Sequence, residues 1–301
     1  PITVSGATAP NYQIVFVPST LTVFANAPSF VTQPASLGVT NGVDVTLFAQ
    51  TAGSQPQGFQ WRLNGTNLPG ENATNIVITN IQPALGGLYD VVVSNVAGVV
   101  TSELASVVVY VPPAITTPPQ SVTVNALTTT TLNVSASGTS PLLFQWKKNG
   151  LDILNATNTT LSFPAITSND AGTYSVAVSN IAGFDISAGA LLTVDQLTPS
   201  LSWVTPGSIT YGTALSTNQL NAAASVPGTF TYTPPLGTFL SAGTHALTVE
   251  FQPTDTLNYA TNSSTVNINV DPATLVITAN SATREFGLAN PALTAQFVGF
   301  V

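Results

Sequence analysis

The chain repeats itself at a single offset. Phe59-Gln60-Trp61 returns as Phe144-Gln145-Trp146, and Asn64-Gly65 as Asn149-Gly150. Gly87-Leu88-Tyr89 returns as Gly172-Thr173-Tyr174, and Ser94-Asn95-Val96-Ala97-Gly98 as Ser179-Asn180-Ile181-Ala182-Gly183. Each pair is 85 residues apart, so there is no net insertion between the four landmarks. A fixed period of this kind means one structural unit built twice. Within the unit, apolar residues alternate. Val45, Leu47 and Ala49 correspond to Thr130, Leu132 and Val134 as an inward set. Phe59 and Trp61 point in, while Gln60 and Arg62 point out. Tyr89, Val91 and Val93 point in, with Asp90 and Ser94 out, and Tyr174, Val176 and Val178 follow suit. Val107 and Val109 match Leu192 and Val194 in a last strand. A period of two with one apolar face is a sheet packed on one side. Several such strands in one unit predict a two-sheet sandwich.

Composition points the same way. Of 301 residues, 22 are Gly and 22 Pro, which supply turns, and no capped stretch has helical periodicity. The apolar fraction of 44% is enough for packed cores, which argues against a disordered tract. Charged residues are only 5%, against roughly 25% in ordinary domains. A surface so poor in charge suits assembly or a glycan coat better than a free monomer. The same counts exclude whole classes of function. Without Cys there is no disulfide, thiolate metal site or Cys nucleophile. Four cations cannot neutralise a run of phosphates, so nucleic acid is not a partner. No run of 18 apolar residues gives a membrane span, and no basic-then-apolar leader opens the chain. With no Met, the chain reads as processed or as an excerpt.

The repeat resembles an immunoglobulin-like domain of the intermediate type. The resemblance covers about residues 28–197 and rests on Trp61 and Trp146, followed by the Asp170-Ala171-Gly172-Thr173-Tyr174 turn. It implies that the Trp residues are the core Trp of the third strand, and that Tyr89 and Tyr174 form the tyrosine corner. The family's two cysteines would fall at Ala49 and Val91, and at Val134 and Val176. Packing therefore replaces the bridge, as in bacterial versions. The first copy departs at Leu85, where the second has Asp170, so its turn must be held differently.

Residues 198–271 carry another pattern: Ser202-Trp203, Ile209-Thr210-Tyr211-Gly212-Thr213, Pro227-Gly228-Thr229-Phe230-Thr231-Tyr232, Ala242-Gly243-Thr244 and Asn258-Tyr259. This resembles the MBG-type Ig-like repeat of large bacterial surface proteins. Arg284-Glu285-Phe286-Gly287 restarts it. Pro10-Asn11-Tyr12, followed by a strand at Leu21-Thr22-Val23, resembles its back half. The expected division is therefore 1–27 (the back half of such a module), 28–112 and 113–197 (the two copies), 198–271 (an intact MBG-type module) and 272–301 (a front half). Tyr211 to Tyr259 spans 48 residues, whereas Phe286 to Val301 plus the first twelve residues gives 27. Completion in trans would lack 21 residues, about three short strands. A window on a longer tandem array is the simpler account, and strand complementation between subunits the sharper one. Prolines at Pro28, Pro112-Pro113, Pro199 and Pro272 end strands and stiffen brief joints, which predicts an elongated rod.

Little chemistry is visible. His245 lies in an alternating strand with Leu247 and Val249, and reads as a packed or edge histidine. The twelve acids are scattered, without a calcium loop or a Gly-x-Ser-x-Gly elbow. Asp170 and Asp255 read as turn residues. Lys147 and Lys148 are the only lysines, and as solvated side chains they do not suit an isopeptide bond. Trp203 and Tyr232 could stack on sugars if exposed, but core packing is the simpler role. Sequons fall at Asn64, Asn72, Asn133, Asn155, Asn158 and Asn262. The expected protein is an extracellular, non-enzymatic stalk, fibre or adhesin shaft without cofactor or metal. Its structural core residues are Trp61, Tyr89, Trp146 and Tyr174. Its partners are copies of itself or neighbouring modules, with surface glycans also open. The alternative is a carbohydrate-binding accessory region of a secreted enzyme or adhesin.

Overall fold

The computed structural model describes residues 5–6 and 10–301. Among these there is no α-helix, only strands, turns and two short 3-10 turns at Pro83–Leu85 and Ser168–Asp170. The first copy contributes β1 (Ser29–Thr32), β2 (Leu37–Thr40), β3 (Val45–Phe48), β4 (Gln50–Ala52), β5 (Gly58–Leu63), β6 (Thr66–Asn67), β7 (Asn75–Ile78), β8 (Gly87–Asn95), β9 (Gly98–Thr101) and β10 (Ala105–Tyr110). The second contributes β11 (Ala114–Thr117), β12 (Val122–Asn125), β13 (Thr130–Asn133), β14 (Ser135–Ser137), β15 (Leu143–Lys148), β16 (Leu151–Asp152), β17 (Thr160–Phe163), β18 (Gly172–Asn180), β19 (Gly183–Ile186) and β20 (Ala190–Asp195). Every strand of the second set begins and ends 85 residues after its counterpart.

In the first copy one sheet runs β2-β10-β8-β5-β6, with β9 also on β8, and it is faced by the β1-β4 and β3-β7 pairs. The inward set of alternating residues fills the space between. Trp61, Leu47, Ala49, Ile81, Tyr89, Val91, Val93 and Ala105 are essentially inaccessible to water. The β5–β6 hairpin turns on Asn64 and Gly65, both at positive φ (53° and 80°). Asn-Gly suits that geometry because Gly lacks Cβ and Asn tolerates the left-handed region. Asn149 and Gly150 repeat it at 51° and 83°.

The chain divides into two compact units. One is Pro1–Pro118 with Val134–Gln145 and Val176–Ser187; the other is Pro119–Asn133 with Trp146–Ser175 and Ala188–Val301. Within them the second copy repeats the ladders of the first. β12 pairs β20 in parallel, as β2 pairs β10, while β11–β14, β13–β17, β18–β19 and β18–β20 are antiparallel. Trp146, Tyr174, Val176, Val178 and Leu192 are buried. The four positions where the resemblance puts cysteines, Ala49, Val91, Val134 and Val176, are all buried apolar residues.

The remaining strands are β21 (Leu201–Ser202), β22 (Ile209–Thr210), β23 (Ala223–Ala224), β24 (Gly228–Thr233), β25 (Gly243–Pro253) and β26 (Asn262–Asp271), then β27 (Val276–Ala279) and β28 (Ala295–Val298). β22-β26-β25-β24 form one sheet, and Ile209, Leu215, Leu220, Leu240, Leu247, Ile268 and Val270 make a core with Trp203 and Tyr232 against it. β27 and β28 pair with each other.

Two expectations are corrected. No strand forms at Leu21-Thr22-Val23; Leu21, Val23 and Phe24 are exposed there, so no partner surface rewards an extended pairing. The reading of the 1–27 segment also falls partly on residues 1–4 and 7–9, outside those described. Asp90 has the outward parity of β8 but is 5% exposed, because the Arg62 side chain covers it from the neighbouring strand.

Candidate functional site at the asparagine clamps

The Asn of each Ser-Asn-x-Ala-Gly landmark does not face the core. Asn95 ends β8, and its Oδ1 accepts hydrogen bonds from the N–H groups of Ala97 (2.9 Å) and Gly98 (3.1 Å). That fixes the amide, so Nδ2 faces away from the turn. There it donates to the carbonyls of Asn26 (2.7 Å) and Ser54 (2.9 Å). Ser54 and Asn26 also bind each other. The Ser54 N–H donates to the Asn26 carbonyl (3.0 Å), and the Asn26 N–H donates to Ser54 Oγ (2.9 Å). The segment entering the first copy is thereby held from two loops at once.

The second copy repeats this arrangement. Asn180 Nδ2 donates to the carbonyls of Val111 (2.8 Å) and Thr139 (2.9 Å), and its Oδ1 accepts from the Ala182 N–H (2.8 Å). The Thr139 N–H donates to the Val111 carbonyl (3.0 Å), and the Val111 N–H to Thr139 Oγ1 (2.8 Å). The 198–271 segment, whose sequence is unlike the other two, reaches a similar result. There the Ser225 N–H donates to the Ser200 carbonyl (3.0 Å), the Ser200 N–H to Ser225 Oγ (3.1 Å), and Asn262 Nδ2 to the Pro199 carbonyl (2.8 Å). A hydroxyl side chain and a carboxamide are what the joint needs. One accepts from the incoming N–H, and the other donates to an incoming carbonyl, which in the two copies also accepts from a backbone N–H.

Glycine lets the chain come that close. Gly53 and Gly138 have φ of 128° and 138°. A Cβ would lie 2.8 Å from the Ala27 carbonyl oxygen in one case and 2.9 Å from that of Pro112 in the other. The clamps hold no net charge, so their strength is dipolar and resists screening by salt.

The four predicted core residues are all buried, each with its polar atom hydrogen-bonded. Trp61 Nε1 donates to the Ala73 carbonyl (3.0 Å) and Trp146 Nε1 to that of Asn158 (2.8 Å). Tyr89 Oη donates to the Leu85 carbonyl and Tyr174 Oη to that of Asp170, both at 2.7 Å. Burial raises the pKa of both phenols, that of Tyr174 to about 12, with the nearby Asp170 charge adding to the effect. The Asp170 carboxylate accepts from the Thr167 N–H (2.8 Å) and Thr167 Oγ1 (2.9 Å), closing its turn. The first copy has no such cap. Its turn starts at Pro83 and is held by backbone bonds and by Tyr89.

The other candidates sit as follows. Arg62 makes a two-pronged ion pair with Asp90 (2.6 and 2.7 Å), which raises the guanidinium pKa. Lys147 pairs with Asp152, and Lys148 donates to the Asn169 carbonyl; both stay on the exposed side, with no isopeptide geometry. Trp203 and Tyr232 are half-buried, in edge-to-face contact with ring centres 5.4 Å apart, and each has its polar atom engaged. His245 Nε2 lies 2.7 Å from the Ser241 carbonyl. A carbonyl only accepts, so that nitrogen carries the proton and cannot act as a base toward the nearby Ser241 hydroxyl. Asp255 accepts from the N–H groups of Leu257 and Asn258 and from Asn258 Nδ2, which holds its carboxyl below the usual range. Of the sequons, Asn64, Asn72, Asn133, Asn155 and Asn158 are exposed, whereas Asn262 has its amide in a clamp.

The clamps themselves were not predicted. Their signal was a polar residue recurring at the 85-residue offset where no core parity demanded one.

These features define a chain of tandem immunoglobulin-like sandwiches. Residues 112–180 match the family model described as an immunoglobulin domain. Human leucine-rich repeats and immunoglobulin-like domains protein 1 is 28% identical over 203 residues, which is 58% of this chain and 18% of that protein. Mouse hemicentin-1 is 29% identical over 160 residues, 49% of this chain and 3% of that protein. The chain thus spans less than a fifth of either relative. Among solved structures, the I-band fragment I67-I69 of titin superposes with a TM-score of 0.52 at 16% identity, covering 82% of this chain and 98% of the fragment. Its E-to-A mutated variant gives 0.53 at 17%, covering 82% and 99%. Both likenesses concern the fold. Among the described residues no helix is long and apolar enough to cross a membrane.

Proposed function

We propose that the chain is a load-bearing segment of an extracellular stalk, fibre or adhesin shaft, and that it works by shape and resistance rather than by catalysis. The recurrence of the clamp carries this reading. Ser54 with Asn95, Thr139 with Asn180 and Ser225 with Asn262 each seize the segment that enters a sandwich. Two unrelated sequence patterns arriving at one joint chemistry point to the joint as the part that matters. Parallel pairing of β2 with β10 and of β12 with β20 supports it. In each copy an early strand and the last strand run side by side, so tension on the ends shears all four residue pairs together.

The modules are taken as 28–112, 113–197 and 198–271, the last of the MBG type, flanked by parts of further such modules in a longer array. The exposed sequons are open to glycans where the source attaches them. The carbohydrate-binding alternative is disfavoured by the packing of Trp203 and Tyr232. Stretching single molecules of the full chain tests the reading. A shaft segment gives separate unfolding events, one per sandwich, each well above the force of thermal fluctuation. A single featureless extension at low force overturns it.

A further inference from the structure

β24 is the outer strand of its sheet and pairs only with β25. The phase of that ladder fixes which of its backbone groups face outward. The Pro227 carbonyl accepts from the Thr254 N–H (3.0 Å), so Thr229, Thr231 and Thr233 turn their N–H and C=O groups toward β25. Those of Gly228, Phe230 and Tyr232 point the other way, and none has a hydrogen-bond partner among the described residues.

The two copies close the corresponding edge. β5 stands beside β8 as β24 stands beside β25. There the Trp61 N–H donates to the Glu71 carbonyl (3.0 Å), and the Trp61 carbonyl accepts from the Leu68 N–H (2.9 Å). Trp146 does the same with Ala156 and Ile153, both at 2.9 Å. β6 and β16 continue the cover. After β24 the chain runs instead into Pro234 and Pro235, and no strand returns along its edge.

Proteins blunt an open edge with a charge, a proline, a bulge or a very short strand. β24 has none of these. Its six residues, Gly-Thr-Phe-Thr-Tyr-Thr, are uncharged, and its register with β25 is unbroken. Its free groups are also self-complementary, because they lie evenly about Phe230. A second β24 running antiparallel, Phe230 opposite Phe230, exchanges two backbone hydrogen bonds at each of the pairs 228–232, 230–230 and 232–228. Sliding the partner by two residues loses one of those pairs.

We propose that β24 is a lateral assembly edge, and that its partner is β24 of a second copy of this chain. A two-fold contact of this kind uses up the edge, so it closes at two chains. Pro227 and Pro234 bracket the strand and bound the paired length. The proposal gives the shaft a side-to-side contact and rests on the tandem-module reading.

The chain lacks Cys, so single cysteines report the register. With Phe230 opposite Phe230, Thr229 of one copy faces Thr231 of the other. Full chains carrying Thr229→Cys and Thr231→Cys, mixed and mildly oxidised, should give disulfide dimers several-fold above either chain alone, since like positions stand two residues apart along the strands. In sedimentation the parent mass should climb toward that of two chains with concentration. Thr231→Lys should weaken this association about tenfold. Asn267→Lys, the same charge on the exposed face of β26, should leave it unchanged. A single-chain mass at every concentration, no excess of mixed disulfides, or equal weakening by the two lysines would overturn the proposal. Unfolding forces of single molecules do not depend on this contact, so its failure leaves the shaft reading standing.

Discussion

Asn180 reaches back 69 residues to Val111, donating from Nδ2 to its carbonyl at 2.8 Å, and Asn95 makes the same reach to Asn26. Replacing Asn180 by Ala removes two donated bonds, the one to the Thr139 carbonyl and one of the two that the Val111 carbonyl accepts. The expected cost is about 1–3 kcal/mol. Denaturant titration gives the loss. Amide exchange at Val111, whose N–H meets Thr139 Oγ1, should quicken in the variant.

Trp146 is fully buried in the second copy. Trp146→Ala should cost about 3–5 kcal/mol through lost burial and an unfilled cavity. A loss under about 1 kcal/mol on denaturant titration would contradict its place in the core.

Arg62 and Asp90 test how one copy can borrow from the other. The second copy carries Lys147 and Ser175 at these places. Arg62→Met alone strands a buried carboxylate and should cost about 2–3 kcal/mol. The double change Arg62→Lys with Asp90→Ser removes the buried carboxylate and leaves an ammonium on a flexible stem that can reach water, and should cost under about 1 kcal/mol. Thermal melts of the single and double variants settle the difference.

Tyr174 sets an alkaline limit. Its phenol pKa is raised in the folded state from 10.0 to about 12, so its contribution is complete below pH 10. It is lost as the pH climbs from there through about 12, because burial, and after it the Asp170 charge, disfavours the phenolate. Melting temperature against pH should fall over this window, and Tyr174→Phe should flatten the fall.

Much of the fold was legible because the alternation was strict and doubled. Parity along Val45–Ala49 and Tyr89–Val93 is a local property, and burial follows it directly. Asp90 escaped the same logic because its burial depends on a long side chain from the next strand, which parity cannot see. The strand expected at Leu21–Val23 failed for the reverse reason. Its apolar residues have the right spacing, yet pairing needs a neighbour, and those side chains stand in solvent. The clamps were visible only as landmarks. Ser94-Asn95 repeats as Ser179-Asn180, but nothing local says that an amide will find a carbonyl 69 residues earlier. Asn262 was still less legible, since its sequon suggested a glycan where the structure has a hydrogen bond.

The central claim is that clamped joints turn these sandwiches into a shaft. Small-angle scattering of the full chain beside the Asn95→Ala/Asn180→Ala double variant measures it directly. The account predicts one well-defined maximum dimension for the parent, and a broader, shorter distance distribution for the variant at unchanged strand content. Identical distributions for the two would contradict it.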